Sequence, residues 1–226
     1  MTNSRRDFLK LAAKYSVGGV VFNSIPLSSI AAMRRYVSPN EKIDFGLIGA
    51  NGMGWADMRS ILKNSEANCI AICDVDTNVL KKRAIDCKEI TGKKPKVYGD
   101  YRKLLENKDI DAVVIGTPDH WHCLNLVDSL QAGKHAYCEK PIANSIEESF
   151  LMNDAVKKYN KIVQIGQWQR SGIQYKDALD FLWSGKLGDI RLVKVWAYQG
   201  WYGWVDDKPD TDAPKGVNYN MWLRPA

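Results

Sequence analysis

Residues 42–76, KIDFGLIGANGMGWADMRSILKNSEANCIAICDVD, narrow the folds open to this chain more than any other stretch. Ile43–Ile48 is a short, partly β-branched apolar run that reads as a buried strand, and it passes directly into the turn Gly49-Ala50-Asn51-Gly52-Met53-Gly54. Apolar residues at helical spacing follow from Trp55 to Leu62, and a second apolar run, Cys69–Cys73, ends on Asp74. Strand, glycine turn, helix, strand and acid, in that order, suit a dinucleotide. Backbone N–H groups and the positive end of the helix face a pyrophosphate, while the acid accepts hydrogen bonds from a ribose diol. Asp74 lies 20 residues beyond Gly54, the offset this arrangement requires. One position departs from G-x-G-x-x-G: Gly49 and Gly54 fill the first and third places, but Asn51 holds the middle one and Gly52 follows it. Asparagine tolerates positive φ better than most residues, so the turn is expected to form, with Gly49, Asn51, Gly52, Met53 and Gly54 against the cofactor.

From Lys42 onward, strands and helices alternate. A helix is expected over Thr77–Ile90, a short strand at Lys96–Tyr98, a helical turn around Tyr101–Leu105 and an apolar strand over Asp111–Gly116. A helix from His120 to Ala132 stops at Gly133, His135–Cys138 is a strand, and Ser145–Tyr159 is a helix with Ser145 and Glu148 spaced as a capping box. Ile162–Ile165 completes a set of six strands. The fold class is therefore α/β, a Rossmann-type doubly wound parallel sheet, with the nucleotide-binding domain over residues 40–166. Past Gly166 the pattern changes: Gln174–Trp183 is an amphipathic helix, and Ile190–Gln199 alternates like a half-exposed antiparallel strand. Residues 167–226 read as the beginning of an α+β open-sheet domain for substrate and oligomerisation, not completed within this length.

Ligands of open α/β sheets bind beyond the carboxyl ends of the strands. Three unusual clusters fall at such ends: the glycine turn, Thr117-Pro118-Asp119-His120-Trp121-His122, and Glu139-Lys140-Pro141, with Gln167 in the loop after the sixth strand. Thr117, Pro118, His122, Glu139, Lys140 and Gln167 join the turn and Asp74 as candidate cofactor contacts. Lys140 is the candidate for proton transfer, because a dry cleft disfavours an ammonium and readies it to exchange a proton with a substrate hydroxyl; a solvated lysine paired with Glu139 is the alternative. His120 is the second catalytic candidate, with helix capping or packing as its alternative. His120 and His122 are two residues apart and would point to different sides of a helix, so no shared metal is expected.

The N-terminus, Ser4-Arg5-Arg6-Asp7-Phe8-Leu9-Lys10 followed by a mildly apolar segment to Ala32, has the pattern of a twin-arginine export signal over residues 1–35. Lys14 and several serines interrupt the apolar part, so membrane contact is expected only through the uncleaved signal, and the destination is the periplasm. Export of an already folded protein favours a tightly held cofactor. The first 35 residues carry six basic side chains against Asp7, a net +5 of the chain's formal +6, which leaves +1 for the remainder and no footprint for nucleic acid. Cys69, Cys73, Cys87, Cys123 and Cys138 show no C-x-x-C pair and read as buried packing thiols. Five of eight tryptophans fall within the last 44 residues; packing accounts for them, and a carbohydrate stacked on their flat faces is the alternative.

At GLIGANGMG, CDVD, GTPDHWH, YCEKPIA, IGQWQRS and NYNMWLRPA the chain resembles the Gfo/Idh/MocA oxidoreductases, a likeness covering residues 42–226. The resemblance implies a Rossmann domain followed by an open antiparallel sheet, a nicotinamide cofactor, and Lys140 of the Glu-Lys-Pro motif acting at the substrate. It also implies a cis bond before Pro141 and exported members that hold their cofactor. The family's second catalytic segment, with a histidine, lies downstream of the W-L-x-P-A motif, which here contains Arg224 and closes the sequence. Two readings follow. One is an oxidoreductase acting on a sugar, polyol or related hydroxyl compound, using NAD rather than NADP because Asp74 with no adjacent arginine repels a 2′-phosphate, and homo-oligomeric once its second domain is complete. The other is a truncated nucleotide-binding module without turnover. NAD-dependent cleavage of a glycosidic bond is a variant of the first.

Overall fold

The computed structural model describes residues 42–197 and 206–225. The proposed export signal lies outside these residues. Six strands form one sheet: β1 (Ile43–Ile48), β2 (Ala67–Cys73), β3 (Lys96–Tyr98), β4 (Ala112–Ile115), β5 (His135–Cys138) and β6 (Val163–Ile165). Every pairing is parallel and the spatial order is β3-β2-β1-β4-β5-β6. The order reverses between β1 and β4, which opens a crevice at their carboxyl ends, where Ile48 sits level with Cys73 on one side and Ile115 on the other.

The helices are α1 (Gly52–Ile61), α2 (Thr77–Thr91), α3 (Tyr101–Leu105), α4 (His122–Gln131), α5 (Ile146–Tyr159), α6 (Ile173–Trp183) and α7 (Tyr219–Leu223). Local chemistry sets their ends. Asp76 caps α2 by accepting from the Asn78 N–H at 2.7 Å, and Gly92 stops it in the left-handed region. Ser145 caps α5 by accepting from the Glu148 N–H, but the Glu148 carboxylate reaches back to the Asn144 N–H rather than to Ser145, one residue beyond the expected capping box. The stretch expected as one helix from His120 divides into a 3₁₀ turn at Asp119–Trp121 and then α4.

Helices on both faces bury the sheet in two apolar clusters. Leu47, Trp55, Met58, Ile72 and Leu80 fill one, and Leu104, Ile115, Leu126, Leu130 and Met152 fill the other. Each side chain fully removed from water contributes about 1.5–3 kcal/mol. All five cysteines are buried and unpaired.

The expected strand Ile190–Gln199 is a correction. Its described part, residues 190–197, has no regular structure and is exposed throughout, while Gln199 lies outside the described residues. Alternating side chains suit a pleated surface, but a strand exists only where another strand takes its backbone hydrogen bonds, and no described strand lies beside this one. No described helix is long and apolar enough to cross a membrane.

Candidate nucleotide-binding site

Three glycines make the crevice. Gly49 has φ +81°, and a Cβ there would lie 2.6 Å from the Thr117 nitrogen. Side chains at Gly54 and Gly116 would overlap the Gly49 carbonyl and the Gly54 Cα respectively, so the turn, α1 and the loop after β4 meet backbone to backbone. Gly52 adopts φ +48° with open space where its side chain would be, so Asn51 occupies ordinary extended backbone (φ −103°) and its neighbour takes the left-handed position. The shifted glycine thus solves the turn without asking Asn51 for a positive φ.

Asn51 precedes α1 but makes no side-chain cap, and no acid occupies the first turn of that helix. Its leading N–H groups are therefore unclaimed by side chains, and with the helix dipole behind them they suit an anion. Asp74 Oδ2 accepts from the Ala50 N–H at 2.8 Å, and its Oδ1 accepts from the Asp76 N–H at 3.0 Å. Burial raises the Asp74 carboxyl above its ordinary range, against the pull of the backbone N–H groups of Asp76 and Ala50. Each oxygen retains a lone pair for a diol. The Ala50–Asp74 bond also ties the glycine turn to the tip of β2.

A cavity of about 460 Å³ opens along this edge, within the range of small-molecule sites. Gly49, Asn51, Gly52, Met53, Asp74, Thr117 and Pro118 line it; Gly54 does not, being packed against the Gly49 carbonyl and the Gly116 Cα. Glu139, Lys140, Gln167, His120 and His122 do not line it. Lys140 and Gln167 are exposed farther along the strand ends, and the Lys140–Pro141 bond is cis. His122 is buried, its Nδ1 lying 2.7 Å from the Pro141 carbonyl oxygen and its Nε2 2.9 Å from that of Thr117. Both ring nitrogens are occupied, so His122 braces the loops after β4 and β5 from behind and does not face the cavity as a direct contact would. His120 donates through Nε2 to the Trp222 carbonyl oxygen at 2.9 Å.

Glu139 is buried beneath Lys140. Its carboxylate accepts from the Lys140 N–H and from the Tyr137 hydroxyl, both at 3.3 Å, and faces Asp57 of α1. Burial first, and the Glu139 charge second, lift the Asp57 carboxyl to about 6. Ionised, Asp57 would leave its buried Oδ2 without a donor; protonated, it donates to Glu139. Asp57 shares a helix face with the buried Gly54 and Met58, so an acid on the core side of α1 was the sequence signal that would have found it. Arg83 was also unforeseen. It donates to the Ala50 carbonyl at 3.1 Å, pairs with Asp86 at 2.7 Å and lies over the Trp55 ring, holding the turn from outside. Asn125 lines the cavity with a buried amide nitrogen that has no protein acceptor, the kind of donor a polar ligand satisfies. Among the described residues, no three His, Cys, Asp or Glu side chains cluster to hold a metal.

Residues 43–167, more than half of the chain, match the model of the Gfo/Idh/MocA oxidoreductase family with its NAD-binding Rossmann fold. The chain belongs to the Gfo/Idh/MocA family. It is 28% identical over 201 residues to "Glycosyl hydrolase family 109 protein 1" of Shewanella sp. strain ANA-3, covering 82% of this chain and 44% of that protein. It is 30% identical over 155 residues to the "Uncharacterized oxidoreductase YrbE" of Bacillus subtilis, covering 69% and 44%. Among solved structures, scyllo-inositol dehydrogenase from Lactobacillus casei with bound NAD(H) and scyllo-inositol superposes with a TM-score of 0.59 at 29% identity, over 66% of this chain and 43% of that one. The chain thus spans less than half the length of these relatives. In this Gfo/Idh/MocA chain the glycine cradle, the unclaimed helix terminus, Asp74 and the Asn125 amide all fit a dinucleotide.

Proposed function

We propose that this chain carries the cofactor-binding portion of an exported, NAD-dependent oxidoreductase that acts on a hydroxyl of a sugar or polyol. The joining of Asp74 to the glycine turn through Ala50, along one wall of a single cavity, carries the reading. NAD, when bound, supplies the site that accepts or returns hydride. The turn and the start of α1 hold the pyrophosphate, and Asp74 orients the adenosine ribose and disfavours a 2′-phosphate. Lys140 is exposed after β5, outside the cavity lining and not enclosed in the dry cleft expected for it, and its Nζ takes or returns the proton of the substrate hydroxyl. Arg5 and Arg6 support periplasmic export, and residues 167–226 support an additional substrate and oligomerisation domain.

The test is titration of cofactor-stripped protein, refolded after unfolding, with NAD and NADP followed by fluorescence. NAD should bind at least tenfold tighter than NADP. Asp74→Asn should weaken NAD by about tenfold or more, since a hydrogen bond to a charged group is worth about 1.5–3 kcal/mol. Preference for NADP, or no binding of either, overturns the reading. Likeness to a glycosyl hydrolase family 109 protein favours a second reading, in which NAD is used transiently while a glycosidic bond is cleaved. That reading predicts NAD-dependent sugar release from a panel of glycosides without net accumulation of NADH.

A further inference from the structure

Residues 214–223 cross from the downstream region onto the nucleotide crevice and are held at both of its rims. At one rim, Asp76 and Val217 form an antiparallel bridge. There the Asn218 N–H donates to the Val75 carbonyl at 2.9 Å and the Thr77 N–H donates to the Gly216 carbonyl at 3.0 Å. The Asn78 side-chain amide reaches the Lys215 carbonyl at 3.2 Å. These contacts seat the segment against the tip of β2, directly beside Asp74. At the other rim, the single carbonyl of Trp222 accepts from His120 Nε2 at 2.9 Å and from the Trp121 indole N–H at 3.1 Å, tying the segment to the loop after β4. Between these anchors, Asn218 Oδ1 caps the short turn of α7 by accepting from the Met221 N–H, and the Tyr219 ring stacks on Trp222 at 5.7 Å.

The consequence is chemical. Val217, Met221 and Trp222 line the cavity together with Asp74, Tyr101 and Trp121. An apolar and aromatic slot next to a carboxylate that accepts a diol matches a planar purine attached to a ribose. The carboxylate takes the hydroxyls, and the slot removes the ring faces from water. Lys140 is absent from this lining, so the slot belongs to the adenosine end of a dinucleotide rather than to its reactive end.

Building on the nucleotide reading above, we propose that Val217, Met221 and Trp222 form the adenine subsite, so that base recognition is supplied by a strap outside the six-stranded domain. Adenosine binding and docking of this strap are then one event, because the same backbone bonds that seat Val217 also position the wall of the slot.

The experiment uses the full chain stripped of cofactor and titrated with NAD and with ADP-ribose, which carries the adenosine but no nicotinamide. Met221→Ala and the milder Val217→Ala should each weaken both ligands by the same factor, about tenfold for Met221→Ala, since each removes apolar surface from the adenosine end. ADP-ribose should also quench tryptophan fluorescence, and Trp222→Phe should remove much of that quench while the protein keeps its fold by circular dichroism. Normal ADP-ribose affinity in both alanine variants, or losses confined to NAD, would overturn the subsite while leaving the nucleotide reading intact. Failure of the unaltered chain to bind either ligand would overturn both.

Discussion

Between Ile43 and Ile165 every strand has a parallel neighbour, and the helices over it bury side chains as large as Trp55 and Met152; from Gln167 onward the chain has comparable apolar content, and its described residues bury almost none of theirs. No residue of α6 is buried, and Ile173, Trp183, Val195 and Trp196 are each more than 70% exposed. The difference lies in neighbours rather than in composition. A central strand such as β4, with Ala112–Ile115 wholly buried, has hydrogen-bond partners on both sides and helices above and below. Among the described residues, 190–197 find neither. The strap is the exception in the downstream region, and it is ordered because it borrows backbone partners from β2 and from the loop after β4.

One pair of substitutions tests this contrast at glycine. Gly54→Ala puts a methyl group into the Gly49 carbonyl and 3.2 Å from the Gly116 Cα, where only backbone is available to move. The expected cost is about 3 kcal/mol or more, a fall of about 10 °C in Tm, with loss of NAD binding. Gly172→Ala, at φ −66°, meets only the flexible Gln174 amide, 2.8–3.0 Å away, and should stay within about 0.5 kcal/mol. Equal losses from the two would show that the downstream region is as tightly packed in solution as the sheet.

A second pair sharpens the comparison among histidines. His122→Ala empties a buried site and leaves the Thr117 and Pro141 carbonyls without their partner, for an expected cost of about 2–4 kcal/mol in thermal or chemical unfolding. His120→Ala removes one half-exposed ring and its bond to the strap, and should cost less than about 1 kcal/mol. A reversed order would mean that the strap, and not the brace between the loops, holds the crevice together.

These residues also mark how far the sequence can be read. Apolar periodicity located all six strands of the nucleotide domain to within a few residues, and Ser145 and Gly133 announced a helix start and a helix stop through local spacing alone. Such signals act within a few residues of their own position, or depend on a fixed strand-turn-helix order. The brace from His122 to Pro141, the facing of Asp57 and Glu139, and the clasp of Trp222 by His120 and Trp121 join positions 19 to 102 residues apart, which spacing does not encode. The misread strand at Ile190–Gln199 fails for the same reason. Alternation reports what a side chain tolerates, whereas pairing depends on a second strand elsewhere.

The Asp57–Glu139 pair gives the smallest effect and the one most specific to the buried region. Asp57 lies at about 6 in the folded chain, raised by burial and then by Glu139, against 3.8 when exposed. A raised carboxyl means that the folded state binds more protons than the unfolded chain between those values. The contribution to stability is therefore complete below pH 4 and is lost as pH rises through about 6. Asp57 remains partly in contact with solvent, which screens the effect to about 1 kcal/mol. Asp74, raised by burial, adds a slope of the same sign, while Asp100, held down by Arg102, adds the opposite slope as pH falls. Asp57→Asn keeps a donor toward Glu139 and removes the charge, so subtracting its pH–stability curve from that of the unaltered chain isolates the pair. The difference should change by about 1 kcal/mol between pH 4 and pH 7 and level off above. A flat difference would mean that the Asp57 carboxyl is already ionised in the folded chain, with its buried oxygen satisfied by water rather than by Glu139.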